Sequence, residues 1–181
     1  MKRIETQFHD VYLFEPQVFE DSRGFFMESY NARRWKEFGI AADFIQDNHA
    51  YSKQAGVIRG LHYQLPPKAQ TKLIRVTRGA IYDVIVDIRK SSPTFGQWFG
   101  AVLSEENKRQ LLVPRGFAHG YCTLVDHTEV QYKVDEYYAP EHERGIQWDD
   151  PELKIDWPVS NPILSEKDRA FPPMNQAPLF D

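Results

Sequence analysis

Apolar residues along the chain recur mostly at every second position, in short runs separated by Gly, Pro, Asn and Asp. Because successive side chains of a strand point to opposite faces, this alternation is typical of strands with one buried face. Many short strands at such spacing favour an antiparallel sandwich or barrel over alternating strand–helix units. The pattern predicts strands at residues 25–30, 57–63, 72–77, 80–88, 98–103, 110–113, 120–125 and 128–137.

Helix signals are scarce, and the strongest is NARRWKEFG at residues 31–39. Asn31 is a good N-cap, and Gly39 can end the helix in a left-handed conformation. With 181 residues and no composition break, we expect one domain spanning residues 1–181. The Pro-rich residues 156–181 are expected to form a tail packed on its body.

The period of two also assigns side chains to faces of the predicted sheet. In EVQYKVD, it places Tyr132 on the same face as Val130 and Val134, which predicts an inward tyrosine. In TKLIRVT, it places Lys72 on the apolar face. Because a buried ammonium is costly unless a partner or an anionic ligand compensates for it, this lysine needs a functional reason.

RGLHYQ, at residues 59–64, carries a histidine inside a predicted strand. Strict alternation would place Arg59 and His62 on opposite faces. A glycine within a strand often marks a bulge, and a bulge at Gly60 would turn both side chains toward one cavity.

The composition excludes several classes of protein. Apolar residues make up 41% and charged residues 27%, and the net charge of -4 gives no broad field for nucleic acid or anionic lipid. Cys122 is the only cysteine, which excludes an internal disulfide and favours a reducing compartment. Neither a secretory apolar segment nor a membrane-spanning run occurs. We therefore expect a cytoplasmic protein without nucleic-acid or membrane partners.

A partial metal motif argues against a metal site. Small barrels of the cupin type bind metals through the pattern G-x5-H-x-H-x3/4-E and a later P-x-G-x2-H. Here His62 keeps the first histidine, Gln64 replaces the second, and no Glu follows at residues 68–69, whereas PRGFAH at 114–119 keeps His119. Catalytic Zn or Fe sites need at least three protein ligands. The sequence therefore predicts a barrel without a metal or another cofactor.

Seven segments in order carry a family resemblance: DSRGFFMESY (21–30), FIQDNHAYS (44–52), RGLHYQ (59–64), TKLIRVTRGAIYDVIVDIRKSSPTFGQW (71–98), ENKRQLLVPRGFAHGY (106–121), YYAPEHERGIQWDDPELKIDWP (137–158) and LSEKD (164–168). Through them the chain resembles the dTDP-4-dehydrorhamnose 3,5-epimerases over nearly its whole length. The resemblance implies an all-β, cupin-like antiparallel barrel (jelly roll) with a few short helices, metal-free and homodimeric. It also implies epimerisation of C3 and C5 of dTDP-4-dehydro-6-deoxy-D-glucose, in dTDP-rhamnose biosynthesis.

The family's catalytic groups correspond to four residues. His62 matches the base, since a neutral imidazole is suited to accept a proton near pH 7. Asp168 matches the carboxylate that orients this histidine, and Lys72 would stabilise the enolate oxygen. Tyr132 matches the acid that returns a proton on the other face. The alternative is that His62 and Tyr132 only pack in a core, that Lys72 extends to the barrel mouth, and that Asp168 is a turn residue.

The resemblance also implies binding residues. Arg23 and Arg59 match positions that contact the diphosphate, for which guanidinium groups are well suited. Tyr138 matches a ring that stacks on thymine, and His119 matches a position near the sugar. Further contacts to the nucleotide or sugar, some of them across a dimer, are expected from Glu28, Gln46, Asp47, Asn48, Glu143 and Lys167.

Two other functions fit parts of this pattern. A related metal-free 3-epimerase, 5-epimerase or ketoisomerase acting on a dTDP-sugar would keep His62 and differ in the acid. A non-catalytic sugar-nucleotide binding protein would keep Tyr138 and the arginines without needing His62, Lys72 and Tyr132 together. The presence of both Lys72 and Tyr132 favours the double epimerase.

Overall fold

A computed structural model describes residues 1–181, and its regular structure consists mainly of antiparallel strands. Two short α-helices, α1 (Ala32–Glu37) and α2 (Glu166–Arg169), and a 3₁₀ turn at Met174–Gln176 complete it. The strands are β1 (Lys2–Glu5), β2 (Tyr12–Glu15), β3 (Val18–Asp21), β4 (Gly24–Met27), β5 (Gln46–Ser52), β6 (Ile58–Gln64), β7 (Lys72–Arg78), β8 (Ala80–Asp87), β9 (Trp98–Ser104), β10 (Gln110–Val113), β11 (Phe117–Thr123), β12 (Thr128–Val134) and β13 (Glu143–Gly145).

Two sheets pack face to face around the main core. The larger sheet has the order β1-β2-β10-β7-β12-β5 and the smaller has β13-β6-β11-β8-β9. Alternate residues of both sheets point inward, so that Ile74 and Val130 of one sheet pack with Ile81, Ile85 and Phe117 of the other. This arrangement confirms the antiparallel all-β barrel predicted from the sequence.

Each sheet also has an apolar outer face that another segment covers. On the larger sheet, Trp35 of α1 packs against Phe14 and Leu73. On the smaller sheet, Trp157 and Met174 pack against the outer residues of β6, β8 and β11. Residues 156–181 are also bonded to the barrel through the backbone, with Ile58 N donating to the Ile163 carbonyl at 3.1 Å.

Helix α1 begins and ends as its sequence predicts. The Asn31 side chain accepts hydrogen bonds from Arg33 N and Arg34 N, and Gly39 follows the helix with φ of +79°. Neither this helix nor α2 has the length and apolar character needed to cross a membrane.

The structure contains strands that the sequence pattern does not predict, namely β1, β2, β3, β5 and β13. Strand β5 (QDNHAYS) lacks an apolar period because two of its half-buried positions, Gln46 and Asn48, are polar and hydrogen-bonded to each other. Strand β13 has only three residues, too few for a period to be recognised.

Several predicted strand ends were wrong. Strand β11 begins at Phe117 and not at residue 120, and ends at Thr123. Strand β12 stops at Val134 because Asp135 turns the chain, accepting a hydrogen bond from Thr71 N at 2.6 Å through its side chain.

The bulge predicted at Gly60 is present. His119 pairs with His62 and Tyr121 pairs with Arg59, so three steps along β6 correspond to two along β11. His62 and Arg59 therefore lie on one face. The strands approach so closely that a Cβ on Gly60, where φ is +130°, would lie 2.6 Å from the Gly120 Cα.

We predict that Gly60→Ala lowers the free energy of unfolding by more than Gly24→Ala. Both glycines have nearly the same φ, +130° and +128°, but no atom lies within 4 Å of a Cβ at Gly24. Backbone strain costs on the order of 1–3 kcal/mol at either site, and only Gly60→Ala adds a clash with backbone. Urea unfolding of both variants measures the difference; equal losses would show that the close approach is unimportant.

Candidate active site

A cavity of about 120 Å³ opens between the two sheets, next to the bulge. Strands β6, β7, β11 and β12 supply its walls because their inward positions here are polar and not aliphatic. It is lined by six of the residues predicted from the sequence: His62, Lys72, His119, Tyr132, Tyr138 and Glu143.

His62 is held by a buried carboxylate. Its Nε2 lies 2.5 Å from Asp168 Oδ1, while Ser165 Oγ donates to Asp168 Oδ2 at 2.8 Å. Burial by itself raises the pKa of Asp168, but the hydrogen bonds and charge of His62, with those from Ser165 and the Gly60 backbone, hold this pKa below its usual range. The second nitrogen of His62 makes no hydrogen bond within the chain, so it can accept a proton.

The ring of His62 is also fixed by packing. The edge of Phe171 meets it at 5.4 Å between ring centroids. Both Asp168 and Phe171 belong to the segment that follows the barrel, so that segment holds the His62 ring in place.

Lys72 is a buried cation, with 9% of its surface exposed. Its Nζ donates to Gln70 Oε1 at 2.7 Å. Burial lowers the pKa of Lys72 to about 8, and the charges of Glu143 and Asp135 only partly oppose this effect. The inward lysine expected from the alternation is confirmed.

Tyr132 points inward from β12, as its alternation predicts, and packs beside the main core. Burial raises the pKa of its hydroxyl, and the charge of Glu143 adds to this while Arg59 opposes it. The phenol is therefore neutral near pH 7 and can donate a proton.

Glu143 joins two further predicted residues at the cavity mouth. Its Oε2 accepts a hydrogen bond from the Tyr138 hydroxyl at 2.7 Å and a short one from Lys167 Nζ. Burial tends to raise the pKa of Glu143, but these two donors lower it below its usual value. The Tyr138 ring remains 54% exposed, so its face is free to stack on a planar ligand.

The remaining predicted residues of β5 divide between two faces. Gln46 and Asn48 share the inward face and are bonded to each other at 2.9 Å, and Gln46 also accepts from Tyr138 N. Asp47 points to the opposite face, where it pairs with Lys133 at 2.8 Å. The structure thus does not bring the Asp47 side chain to the cavity.

Arg59 lies near the cavity, whereas Arg23 and Glu28 lie elsewhere in the chain. The bulge turns Arg59 inward, and its guanidinium donates to Ser52 Oγ and the Tyr51 carbonyl. Arg23, on the β3–β4 hairpin, pairs with Asp21 at 2.6 Å. Glu28 pairs with Arg34 at 3.2 Å.

The sequence interpretation missed three polar residues around the cavity, Gln64, Asp83 and Tyr121. Gln64 binds the backbone on either side of Tyr138, donating to the Tyr137 carbonyl and accepting from Ala139 N. Asp83 is fully buried and lies 2.6 Å from His119 Nε2. Asp83 is a charged residue on the apolar face of AIYDVIVD, and the same pattern indicated a functional role for Lys72.

The side chains lining the cavity can supply a base, a cation and an acid: His62, Lys72 and Tyr132. A neutral imidazole oriented by a carboxylate can remove a proton, a buried ammonium can stabilise an oxyanion, and a neutral phenol can return a proton. These are the groups that inversion of a carbon next to a ketone requires.

Comparison with known proteins places the chain in a family. The family model described as dTDP-4-dehydrorhamnose 3,5-epimerase matches residues 5–176. The dTDP-4-dehydrorhamnose 3,5-epimerase of Pseudomonas aeruginosa is 57% identical over 171 residues, which cover 93% of each chain. The chain belongs to the dTDP-4-dehydrorhamnose 3,5-epimerase family.

Solved structures of this family show the same fold. The Bacillus anthracis epimerase, with TDP and pyrophosphate bound, is 62% identical and has a TM-score of 0.94, covering 95% of this chain and 98% of its own. The Legionella pneumophila 3,5-epimerase in complex with dTDP-4-keto-L-rhamnose is 46% identical, also with a TM-score of 0.94, covering 99% and 98%. The present epimerase is therefore a cupin-type jelly roll and an isomerase.

The donors around the cavity of this epimerase suit proton transfer better than metal binding. His62 and His119 each direct Nε2 to a carboxylate, and buried Lys72 adds a cation between the sheets. No group of three or more His, Cys, Asp or Glu side chains is arranged to hold a metal ion. Independence from metals remains a prediction of this donor chemistry.

We predict that the epimerase keeps full activity after dialysis against EDTA, because proton transfer between side chains such as those lining the cavity needs no Lewis acid. Turnover before and after dialysis, with metal content measured on the same samples, checks this. Loss of activity that added Zn²⁺ or Fe²⁺ restores would contradict it.

Proposed function

We propose that the protein converts dTDP-4-dehydro-6-deoxy-D-glucose to dTDP-4-dehydro-L-rhamnose by inverting C3 and C5 beside the C4 ketone. The observation that carries this proposal is the meeting of His62–Asp168, Lys72 and Tyr132 at one cavity. A protein that only bound the nucleotide would need neither a histidine held by a buried carboxylate nor a buried lysine. The enzyme would serve dTDP-rhamnose biosynthesis, and hence cell-wall polysaccharide or lipopolysaccharide.

His62 acts as the base. The C4 ketone acidifies the protons at C3 and C5, so a nitrogen placed beside either carbon can remove its proton. Asp168 fixes the ring and stabilises the imidazolium that forms, as carboxylates do in other histidine-based sites. Because Asp168 is buried, this interaction is little screened by water.

Lys72 acts on the oxygen. Proton removal moves negative charge onto O4, and an ammonium in an enclosed site stabilises that charge without reorganisation of water. Burying Lys72 destabilises the free enzyme, because the cation is removed from water. In the transition state the cation gains a counter-charge on O4, so Lys72 stabilises the transition state more than the ground state.

Tyr132 acts as the acid on the face opposite His62. Its raised pKa keeps the phenol protonated, so the hydroxyl can deliver a proton to the enolate. Inversion follows when the proton leaves to one residue and returns from the other.

The nucleotide lies at the mouth. The exposed ring of Tyr138 would stack on thymine, a contact that needs only a planar face. Arg59 and Lys167 would meet the diphosphate, while Gln46, Asn48 and Glu143 hold Tyr138 and neighbouring groups in place.

The site is completed by a second copy of the chain. Arg23 and Glu28 lie on or beside a hairpin that leaves Phe19, Phe25 and Phe26 exposed, an apolar surface suited to a protein contact. In a homodimer this hairpin would reach the partner's cavity and supply Arg23 and Glu28 to the nucleotide. A cytoplasmic location accords with the single thiol, Cys122, which is buried.

We predict that His62→Ala abolishes both epimerisation and exchange of the C3 and C5 protons with solvent, because the base is lost. Tyr132→Phe should keep exchange and lose inversion, since the enolate still forms and recovers its proton from His62. Each loss is expected to be about 100-fold or more. NMR of the dTDP-sugar in D2O separates the two outcomes, with His9→Ala, at the surface, as the control. Near wild-type exchange by His62→Ala would refute the assignment.

We predict that kcat/KM falls as the pH rises through about 8, because Lys72 then loses the charge that stabilises the enolate. The unfolded chain keeps this proton to a higher pH, so the stability contribution of Lys72 increases over the same window. Falling activity with undiminished stability is the expected combination, read from pH–rate profiles and urea unfolding. A flat profile up to pH 10 would contradict the role.

We predict a homodimer whose disruption impairs binding. Phe26→Glu, on the exposed hairpin, should give a monomer with a raised KM for the dTDP-sugar. Val102→Glu, an exposed apolar position on β9, is the control and should remain dimeric. Sedimentation equilibrium and steady-state kinetics test this; a wild-type monomer with full activity would exclude it.

A further inference from the structure

A second histidine–carboxylate pair lies beside the first. His119 Nε2 is 2.6 Å from Asp83 Oδ1, and the two side chains are 8% and 0% exposed. In the register of β6 and β11, His119 is the direct partner of His62. Both imidazoles therefore line the same cavity, each held by its own carboxylate.

The carboxylate of Asp83 has an unused oxygen. Three buried side-chain atoms lack a hydrogen-bond partner, and two of them are Asp83 Oδ2 and the Tyr121 hydroxyl. Asp83 and Tyr121 are direct partners in the pairing of β8 with β11, with side chains on the same inward face. One group is an acceptor and the other a donor, so a hydrogen bond between them would satisfy both.

Such a bond would give Asp83 two donors. A fully buried carboxylate is costly unless its oxygens are hydrogen-bonded. With His119 Nε2–H on one oxygen and the Tyr121 O–H on the other, both oxygens of the anion are hydrogen-bonded by neutral donors. An anion there stabilises the His119 tautomer that carries its proton on Nε2.

The other ring nitrogen of His119 is then an acceptor. Nδ1 makes no hydrogen bond within the chain, and His119 lines the cavity. In the Nε2–H tautomer, Nδ1 carries a lone pair. The natural donor to it is a hydroxyl group of the bound sugar.

We propose that Asp83 is a positioning residue: its carboxylate, completed by the Tyr121 hydroxyl, holds His119 in the Nε2–H tautomer with Nδ1 accepting from a sugar hydroxyl. This inference rests on the proposed function, because it assumes a sugar in the cavity. His62 transfers protons, and His119 fixes the position of the sugar ring from which His62 removes them. Neither Asp83 nor Tyr121 contacts the reacting carbons in this arrangement.

The tautomer can be measured without any activity assay. Nitrogen-15 NMR of histidine-labelled wild-type protein, with the His119 signals assigned from His119→Gln, should show a neutral ring protonated at Nε2. A His119 ring protonated at Nδ1, or at both nitrogens near pH 7, would overturn the proposal even if the enzyme turns over normally.

Variants test the effect on binding. Asp83→Asn keeps the shape but offers an amide that can donate or accept, so the tautomer preference is lost. We expect KM for the dTDP-sugar to rise by up to about 10-fold, the size of one hydrogen bond between neutral groups, with a smaller change in kcat. Tyr121→Phe should change KM in the same direction by less.

Matched controls separate this effect from general damage. Asp87→Asn removes another fully buried carboxylate of β8, one that binds Arg89, Ser92 and Thr94. It should lower stability and leave KM unchanged. Tyr82→Phe, on the outer face of the same strand, should change neither quantity.

The outcomes distinguish a failure of the proposed function from a failure of the role assigned to Asp83. If wild-type protein does not turn over the dTDP-sugar, the proposed function fails. If it does, and folded Asp83→Asn shows the wild-type KM and His119 spectrum, only the role of Asp83 fails. Should Asp83→Asn not fold, the wild-type spectrum and the KM of Tyr121→Phe decide.

Discussion

The hydrogen bond between His62 and Asp168 joins the barrel to the segment that follows it. His62 comes from the bulged strand β6, and Asp168 from a four-residue helix more than 100 positions later in the chain. That helix is too short to be stable alone, so its position depends on contacts such as Trp157 and Met174 against the outer face of the smaller sheet. This histidine–carboxylate pair therefore forms only when the terminal segment has packed on the barrel.

The second constraint is the cost of placing charged groups between two apolar sheets. Lys72 and Asp83 occupy inward positions that would otherwise hold aliphatic residues, and burial disfavours the charged form of each. Hydrogen bonds to Gln70 and His119, and not exposure to water, offset the free-energy cost of burying these two charged groups. A low-dielectric cavity in turn makes the charges more effective toward a developing enolate.

Much of the site could be predicted from the sequence. The period of two correctly placed Lys72 and Tyr132 inside, and the glycine signal located the bulge that brings Arg59 to the face of His62. The pattern failed at β5, where the half-buried residues Gln46 and Asn48 are polar, and at β13, where three residues are too few to show a period. Asp47 was expected among the binding residues, yet its side chain faces away from the cavity.

The sequence by itself determined the strand-rich class, the capped helix α1 and the family, since alternation, capping and ordered motifs are local properties of the chain. Only the tertiary structure decided that Asp83 serves His119, and it placed Asp168 beside His62 as the family resemblance implies. Asp168 and Asp83 are distant in sequence from His62 and His119, and no local rule pairs them. Those pairs follow from strand register and from packing of the terminal segment, which depend on contacts summed over the whole barrel.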